Sequence, residues 1–281
     1  MRSGSEVSVL SQFDIRGRAA LVTGAASGLG LAFAETMVEA GCRVTLVDAD
    51  EAAARREAER LGPLARGAGA DIRDRQALAD VFDGHEEAFG RLDIVFANAG
   101  IGGGPGFWNP AGHRNPDRQI DTFDPAHWDA VIGVNLTGAF NTLREAARLM
   151  KAGGKGGSII VTTSNAALFN QPLVGVPYMA AKAGGAHLVR HAALELAASR
   201  IRVNAIAPGT FVTNIAGGWM KDPAVRAQWA RTVPLGEVAD TDRIKPLALY
   251  LASDASSYMT GSQLLIDGGV ALGAVSGRVS G

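Results

Sequence analysis

Residues 19–30, AALVTGAASGLG, decide how this chain is read. The first five form a short apolar run of the length and composition of a buried strand. The chain then passes through TGAASGLG, Thr23 to Gly30, into a helical pattern over 28–40. A strand that feeds a glycine-rich turn and then a helix places unpaired helix N–H groups beside backbone without side chains, a cradle for a pyrophosphate. A plain glycine-rich turn would look the same in isolation, so the rest of the chain has to carry the reading.

Outward from this segment the same alternation recurs. Short runs rich in β-branched residues stand at 19–23, 43–48, 92–96, 158–162 and 201–206, with further strands expected at 64–70 and in SQLLIDGG near the end. Helical periodicity fills 28–40, 50–61, 74–89, 125–150, 178–198 and 241–252 between them. Strands alternating with helices predict a parallel sheet covered on both faces. No internal repeat and no second core interrupts this, so the expected fold is a single-domain, Rossmann-like, doubly wound α/β sheet over 13–269. Residues 1–12 read as a flexible arm, and 270–281 as a tail, either a loose end or a docking segment. Two stretches break the rhythm. The Gly/Pro/Asn-rich connection 101–123 is long enough to be functional or disordered, and 210–233 reads as either a mobile lid or a pair of surface helices.

Composition removes several classes of function. Twenty-seven basic against twenty-eight acidic residues leave a formal charge of -1, without the basic excess that a nucleic-acid surface needs. Cys42 is the only cysteine, which excludes an internal disulfide and thiolate-rich metal sites and suits a reducing cytoplasm. No run approaches the roughly eighteen apolar residues of a membrane span, so a soluble, cytoplasmic protein is expected. His187 and His191 are spaced like helical zinc ligands, but Leu188 stands where His-Glu-x-x-His requires glutamate. No metal is expected.

Asp48 ends the second strand, eighteen residues after Gly30, where a carboxylate can accept hydrogen bonds from an adenosine ribose and repel a 2′-phosphate. NAD is therefore favoured over NADP, with Arg43, Arg55 and Arg56 as nearby charges of the opposite tendency. Asp48 or Asp50 could equally cap the following helix. Farther along, Tyr178 and Lys182 lie four positions apart on one face of a helix. An ammonium beside a phenol lowers its pKa from about 10 and fits it for acid-base work.

These motifs together resemble the classical short-chain dehydrogenase/reductase family from about Gly17 to Gly269. TGAASGLG matches its Thr-Gly-x-x-x-Gly-x-Gly loop, ANAG at 97–100 its Asn-Asn-Ala-Gly element with Ala97 for the first Asn, and YMAAK its Tyr-x-x-x-Lys pair. VIGVNLTGAF places Asn135 at the family's helix-interior asparagine, and NAIAPGTFVT resembles its Pro-Gly strand end. The resemblance implies that Tyr178 exchanges a proton with substrate, that Lys182 holds the nicotinamide ribose and lowers the tyrosine pKa, that a serine orients the substrate oxygen, and that the Asn135 region holds a relay water. It also implies a cofactor site made by Gly24, Ser27, Gly28, Leu29, Gly30, Asp48, Asp71, Ile72, Asn98, Ala99, Gly100, Pro208, Gly209 and Val212, the last through its backbone. A capping or core role remains open for Asn135 and Asp71. Dimers or tetramers built on the helices near 125–150 and 178–198 are the family's usual assembly, so a homotetramer is expected.

The family's serine commonly stands thirteen residues before the tyrosine, a position held here by Asn165. Aligning the strand SIIVTTS instead selects Ser164, because strand register is strongly specified and loops absorb insertions. Asn165 and Thr163 are the remaining candidates. The same loop offers Asn165, Phe169 and Gln171 to a substrate, joined by Phe107, Trp108 and Trp219, which describes a partly apolar pocket for a cyclic or aromatic secondary alcohol or a modest polyol. The expected activity is NAD-dependent interconversion of a secondary alcohol and a ketone. An NADP-type acyl-chain ketoreductase and a non-catalytic dinucleotide sensor are the alternatives.

Overall fold

A computed structural model describes residues 8–273, without the side chains of Ala216 and Trp219. The ends of the expected arm and tail, 1–7 and 274–281, lie outside the described residues. Seven parallel strands form one sheet in the order β3-β2-β1-β4-β5-β6-β7. They are β1 Ala19–Thr23, β2 Arg43–Asp48, β3 Ala65–Gly69, β4 Ile94–Ala97, β5 Gly157–Thr162, β6 Ile201–Pro208 and β7 Gln263–Ile266.

Successive side chains of a strand point to opposite faces, and here both faces are buried. Leu21, Val47, Val95, Ile159, Val161, Val203 and Ala205 pack with Leu78, Phe82, Leu143 and Val189 from α3 (Arg75–Phe89), α5 (Ala139–Gly153) and α6 (Val176–Leu196). Their neighbours Ala20, Val22, Leu46, Ile94, Phe96, Ile160 and Ile206 pack with Phe33, Met37, Ala58 and Leu251 from α1 (Gly28–Glu39), α2 (Glu51–Leu61) and α8 (Lys245–Ala252). This explains why the strands read as continuous apolar runs. On the second face Phe33 stacks on Phe96 with ring centroids 4.6 Å apart, and truncating such a buried ring costs about 3–5 kcal/mol.

The chain runs outward from β1 through β2 to β3, then crosses to β4 on the other side of β1. That reversal opens a crevice beyond the carboxyl ends of β1 and β4, the place where such sheets bind ligands. Among the described residues, no helix is long and apolar enough to cross a membrane.

Two expected helices are divided. The pattern over 125–150 contains α4 (Pro125–Ile132), a π-helical stretch Gly133–Gly138 and then α5. Glycines at both ends weaken the regular helix, and Gly138 lets Ile72 approach so closely that a Cβ would overlap its side chain. Single π turns of this kind tend to mark functional positions. The 241–252 pattern separates into a 3-10 turn Thr241–Ile244 and α8, because Pro246 lacks the N–H that a longer helix needs at that point. The 210–233 stretch contains 3-10 turns and a short helix, α7 (Pro223–Ala230).

Candidate active site

The strand ends deliver the site one residue at a time. After β1, Gly24 turns with φ +65, and the chain enters α1 through Ser27. A Cβ at Gly30 would overlap the Gly24 carbonyl oxygen, so only glycine lets the first helical turn fold back on the loop. Ser27 spends no side-chain bond on capping α1, and no acidic residue stands in its first turn. The helix end thus keeps its affinity for an anion. These features fit a dinucleotide pyrophosphate.

Asp48 faces this loop. Its Oδ2 accepts the Ala26 N–H at 3.1 Å and its Oδ1 the Asp50 N–H at 3.1 Å. The cap of α2 is Asp50, whose carboxylate accepts from the Ala53 N–H at 2.9 Å. The cap left open by the sequence thus falls to Asp50, while Asp48 bonds the backbone of the glycine loop. The three arginines are occupied elsewhere or turned outward. Arg43 lies over the Phe89 ring, Arg55 pairs with Glu51, and Arg56 is exposed.

Asp71 binds Arg73 through both carboxylate oxygens, which lowers its pKa, and the cap of α3 is Asp74. Ile72 is buried, with its carbonyl accepting from Asn141 at 3.0 Å. Asn98 ties three strands together. Its Nδ2 donates to the Thr23 and Gly24 carbonyls, and its Oδ1 accepts from the Thr162 hydroxyl at 3.0 Å. Ala99 closes on Gly24, where a Cβ would come within 2.7 Å of the Ala99 Cα. Beyond β6, the Gly209 N–H donates to the Ile266 carbonyl at 2.9 Å. The Val212 N–H donates to the Ala239 carbonyl at 2.9 Å. In this conformation that amide is committed within the protein.

The residues expected to do chemistry converge beside Gly100. A Cβ there would lie 3.0 Å from Asn135 Oδ1 and 3.6 Å from Lys182 Nζ. Asn135 sits in the π segment, bonded to Ile101, and Lys182 donates to the Thr162 carbonyl at 2.9 Å. Lys182 also lies over the Tyr178 ring, 5.5 Å from its centroid. Burial pushes the lysine down to about 8. The tyrosine, by contrast, is held above its ordinary value by burial, with Ser164 pulling it back. The lowering of Tyr178 expected from Lys182 is absent, its ammonium being directed at the Thr162 carbonyl.

Ser164, Thr163 and Asn165 differ in their contacts. Ser164 acts on the phenol, whereas Thr163 is buried with its hydroxyl on the Ile206 carbonyl. Asn165 is only 5% exposed and accepts from Gln171 Nε2 at 3.0 Å. Phe169 is half-buried and Phe107 exposed. Trp219 belongs to a 3-10 turn, and its side chain lies outside the described residues. His187 turns to Arg190, and no cluster able to hold a metal ion occurs among the described residues.

The 101–123 connection is an ordered wall. Gly106 and Trp108 donate to the Leu173 and Pro172 carbonyls, Gly175 donates to Gly104, and a small hairpin over 107–115 projects beyond them. A Cβ at Gly103 would lie 2.5 Å from that of Tyr178.

Three threonines escaped the sequence reading. Thr23 Oγ1 accepts the Asn98 and Ala99 N–H groups, Thr162 orients Asn98 and Lys182, and Thr213 closes over Gly28, 3.3 Å from where its Cβ would be. Their signal was their place at strand ends or just past the Pro-Gly element, which is visible only once the strands are aligned.

A solved short-chain type dehydrogenase/reductase from Mycobacterium marinum shares this fold with a TM-score of 0.83 at 33% identity, over 94% of this chain and 99% of that one. The family model described as Enoyl-(Acyl carrier protein) reductase matches residues 24–271. The chain belongs to the classical short-chain dehydrogenase/reductase family. Among relatives in this family, a cis-4-hydroxycyclohexanecarboxylate dehydrogenase of Sinomonas cyclohexanicum is 37% identical, over 90% of this chain and 96% of its own. A sorbose reductase of Candida albicans is 33% identical over 93% and 89%. As a short-chain dehydrogenase/reductase, the protein is an oxidoreductase of the alcohol/ketone class that uses a nicotinamide dinucleotide.

Proposed function

We propose that this oxidoreductase uses NAD to interconvert a small secondary alcohol and its ketone, with Tyr178 as general acid/base. The observation that carries the reading is the convergence of Asn135 and Lys182 on Gly100, with Tyr178 and Ser164 alongside and the glycine loop one strand away. Gly24, Ser27, Gly28, Leu29 and Gly30 would hold the pyrophosphate, Asp48 the adenosine ribose, Asp71 and Ile72 the adenine, and Asn98 to Gly100 with Pro208, Gly209 and Val212 the remainder. The bound nicotinamide supplies or accepts the hydride. Asp48 supports NAD because its carboxylate faces the loop, while Arg43 lies over the Phe89 ring and Arg55 pairs with Glu51.

Ser164 would orient the substrate oxygen, and Tyr178 would move a proton at that oxygen. Lys182, buried and only weakly basic, would pass the proton on past Asn135. The wall of 101–123 and the loop carrying Phe169 and Gln171 would enclose the carbon skeleton. The named activities of the relatives favour a cyclic alcohol or a polyol. We assign catalysis to 13–269, a homo-oligomer, and a cytoplasmic location that suits the buried Cys42.

The test is Tyr178→Phe. It should abolish NAD-linked oxidation across cyclic alcohols and polyols, a loss of about 10²-fold or more, while NADH still binds. Full turnover by this variant would sink the mechanism. An acyl-chain ketoreductase is the second reading, with the acyl carrier protein in the family model's description as the link to acyl thioesters, and NADPH-dependent reduction of an acetoacetyl thioester in preference to alcohol oxidation would support it.

A further inference from the structure

Asn98 stands where the ends of β1, β4 and β5 meet. β4 lies between the other two, with Phe96 paired to Val22 and Ala97 to Val161, so the next residues, Asn98 and Thr162, leave neighbouring strands side by side. The Asn98 amide reaches to both sides. Its Nδ2 donates to the Thr23 carbonyl at 3.1 Å and the Gly24 carbonyl at 3.3 Å, and its Oδ1 accepts the Thr162 hydroxyl at 3.0 Å. A carbonyl only accepts, so the pair of carbonyls requires the NH2 on their side and turns Oδ1 toward the threonine. The Thr162 hydroxyl is the donor that this orientation needs. The amide also lies under the first turn of α1, since a Cβ at Gly30 would come within 2.6 Å of Asn98 Nδ2. On its other side, Thr162 offers its own carbonyl to Lys182 Nζ at 2.9 Å. A single half-buried residue thus touches both halves of the site, its side chain toward the glycine loop and its backbone toward the lysine.

We infer that Thr162 is a positioning residue for the dinucleotide, its hydroxyl fixing the Asn98 amide and the amide holding the Gly24 carbonyl in the turn that receives the pyrophosphate. This rests on the reading of the glycine loop as the cofactor site. Gly24 has no side chain to restrict it and adopts φ +65, so its carbonyl depends on the Asn98 bond for direction. Without the hydroxyl, Asn98 Oδ1 loses its donor and the amide is free to tilt out of the plane that serves both loop carbonyls. Thr162→Val removes the hydroxyl at nearly constant shape and leaves the main-chain carbonyl, with its Lys182 bond, in place. The two halves of the contact are therefore separable, and loss of the hydroxyl falls on cofactor binding before it falls on proton transfer.

The experiment measures binding of NADH to the full-length protein by fluorescence, in parallel with NADPH, the tighter of the two serving for the comparison. Thr162→Val should raise the dissociation constant by about two- to tenfold, the contribution of one hydrogen bond. Thr162→Ser, which keeps the hydroxyl, should restore wild-type affinity. Asn98→Ala should weaken binding at least as much as Thr162→Val. Because Thr162 acts through Asn98, a protein carrying both Thr162→Val and Asn98→Ala should bind no more weakly than Asn98→Ala alone. In turnover, KM for the dinucleotide should rise by a larger factor than kcat falls. Thr162→Ala gives the same comparison with Thr162→Ser should the valine variant fail to fold. The inference is overturned if loss of the hydroxyl leaves dinucleotide affinity at the wild-type value, if Thr162→Ser binds as weakly as Thr162→Val, or if the two losses add in the double variant. A fall in kcat larger than the rise in KM would equally overturn it, since the effect would then lie on Lys182. Because binding needs no alcohol, a wild-type enzyme that held dinucleotide but oxidised no alcohol would defeat the proposed function while the binding comparison still decided this point.

Discussion

Asn135 and Ile101 hold each other by two reciprocal hydrogen bonds, the Ile101 N–H donating to Asn135 Oδ1 and Asn135 Nδ2 donating to the Ile101 carbonyl, each at 2.8 Å. A side-chain amide here imitates a strand neighbour and fixes the chain leaving β4 against the π segment. Asn135→Ala would remove both bonds to the Ile101 N–H and carbonyl, at about 0.5–1.5 kcal/mol for each bond. Denaturant unfolding should show the loss, and kcat should fall more than cofactor affinity. An unchanged unfolding midpoint would show that the pair is dispensable.

We propose that Asp48 governs which dinucleotide is accepted. Asp48→Ala removes the carboxylate that faces the Ala26 N–H and should raise the KM for NAD by about tenfold or more while improving use of NADP, a difference of about 1.4 kcal/mol per factor of ten. Steady-state kinetics with both cofactors checks it. An unaltered NAD to NADP preference would remove Asp48 from the specificity argument.

Lys182 lies buried with its pKa pushed from 10.5 down to about 8. Between those values the unfolded chain binds a proton that the native protein does not, so stability rises with pH across this window. The penalty is complete below about 8 and fades toward 10.5. Lys182→Met should therefore be more stable than wild type near pH 7, by at most about 3 kcal/mol, and lose that advantage near pH 10. Urea unfolding at the two pH values tests the sign. A gap that widens with pH would contradict it.

Gly175 packs against Gly103 so tightly that a Cβ would overlap the Gly103 carbonyl oxygen. Gly175→Ala should push the 101–123 wall away from the loop before α6. The KM for the alcohol should rise by about tenfold, with NADH affinity unchanged because the glycine loop is remote from this contact. Separate substrate kinetics and cofactor titration give the two numbers. Equal losses in both would mean that the whole site had shifted.

Much of this architecture was legible because it is written in local patterns. The apolar runs gave the strands, Tyr178 and Lys182 share a helix face by spacing alone, and following β5 forward selected Ser164 over Asn165. Other features depend on residues far apart in the chain. The π turn at Gly133–Gly138 has no periodicity of its own and shows itself through Ile101 and Ile72. Val212 lost its free amide to Ala239, and the 101–123 stretch is ordered by backbone bonds to the loop at 172–175, neither of which a composition reading can contain.

The sequence by itself therefore determined the sheet, the glycine loop and the chemical pair, since each rests on interactions within a few residues of chain. Only the tertiary structure decided which aspartate faces the loop, which way Lys182 points and what Asn165 touches. Those are choices among hydrogen-bond partners of similar chemistry, and burial together with distance in space selects between them.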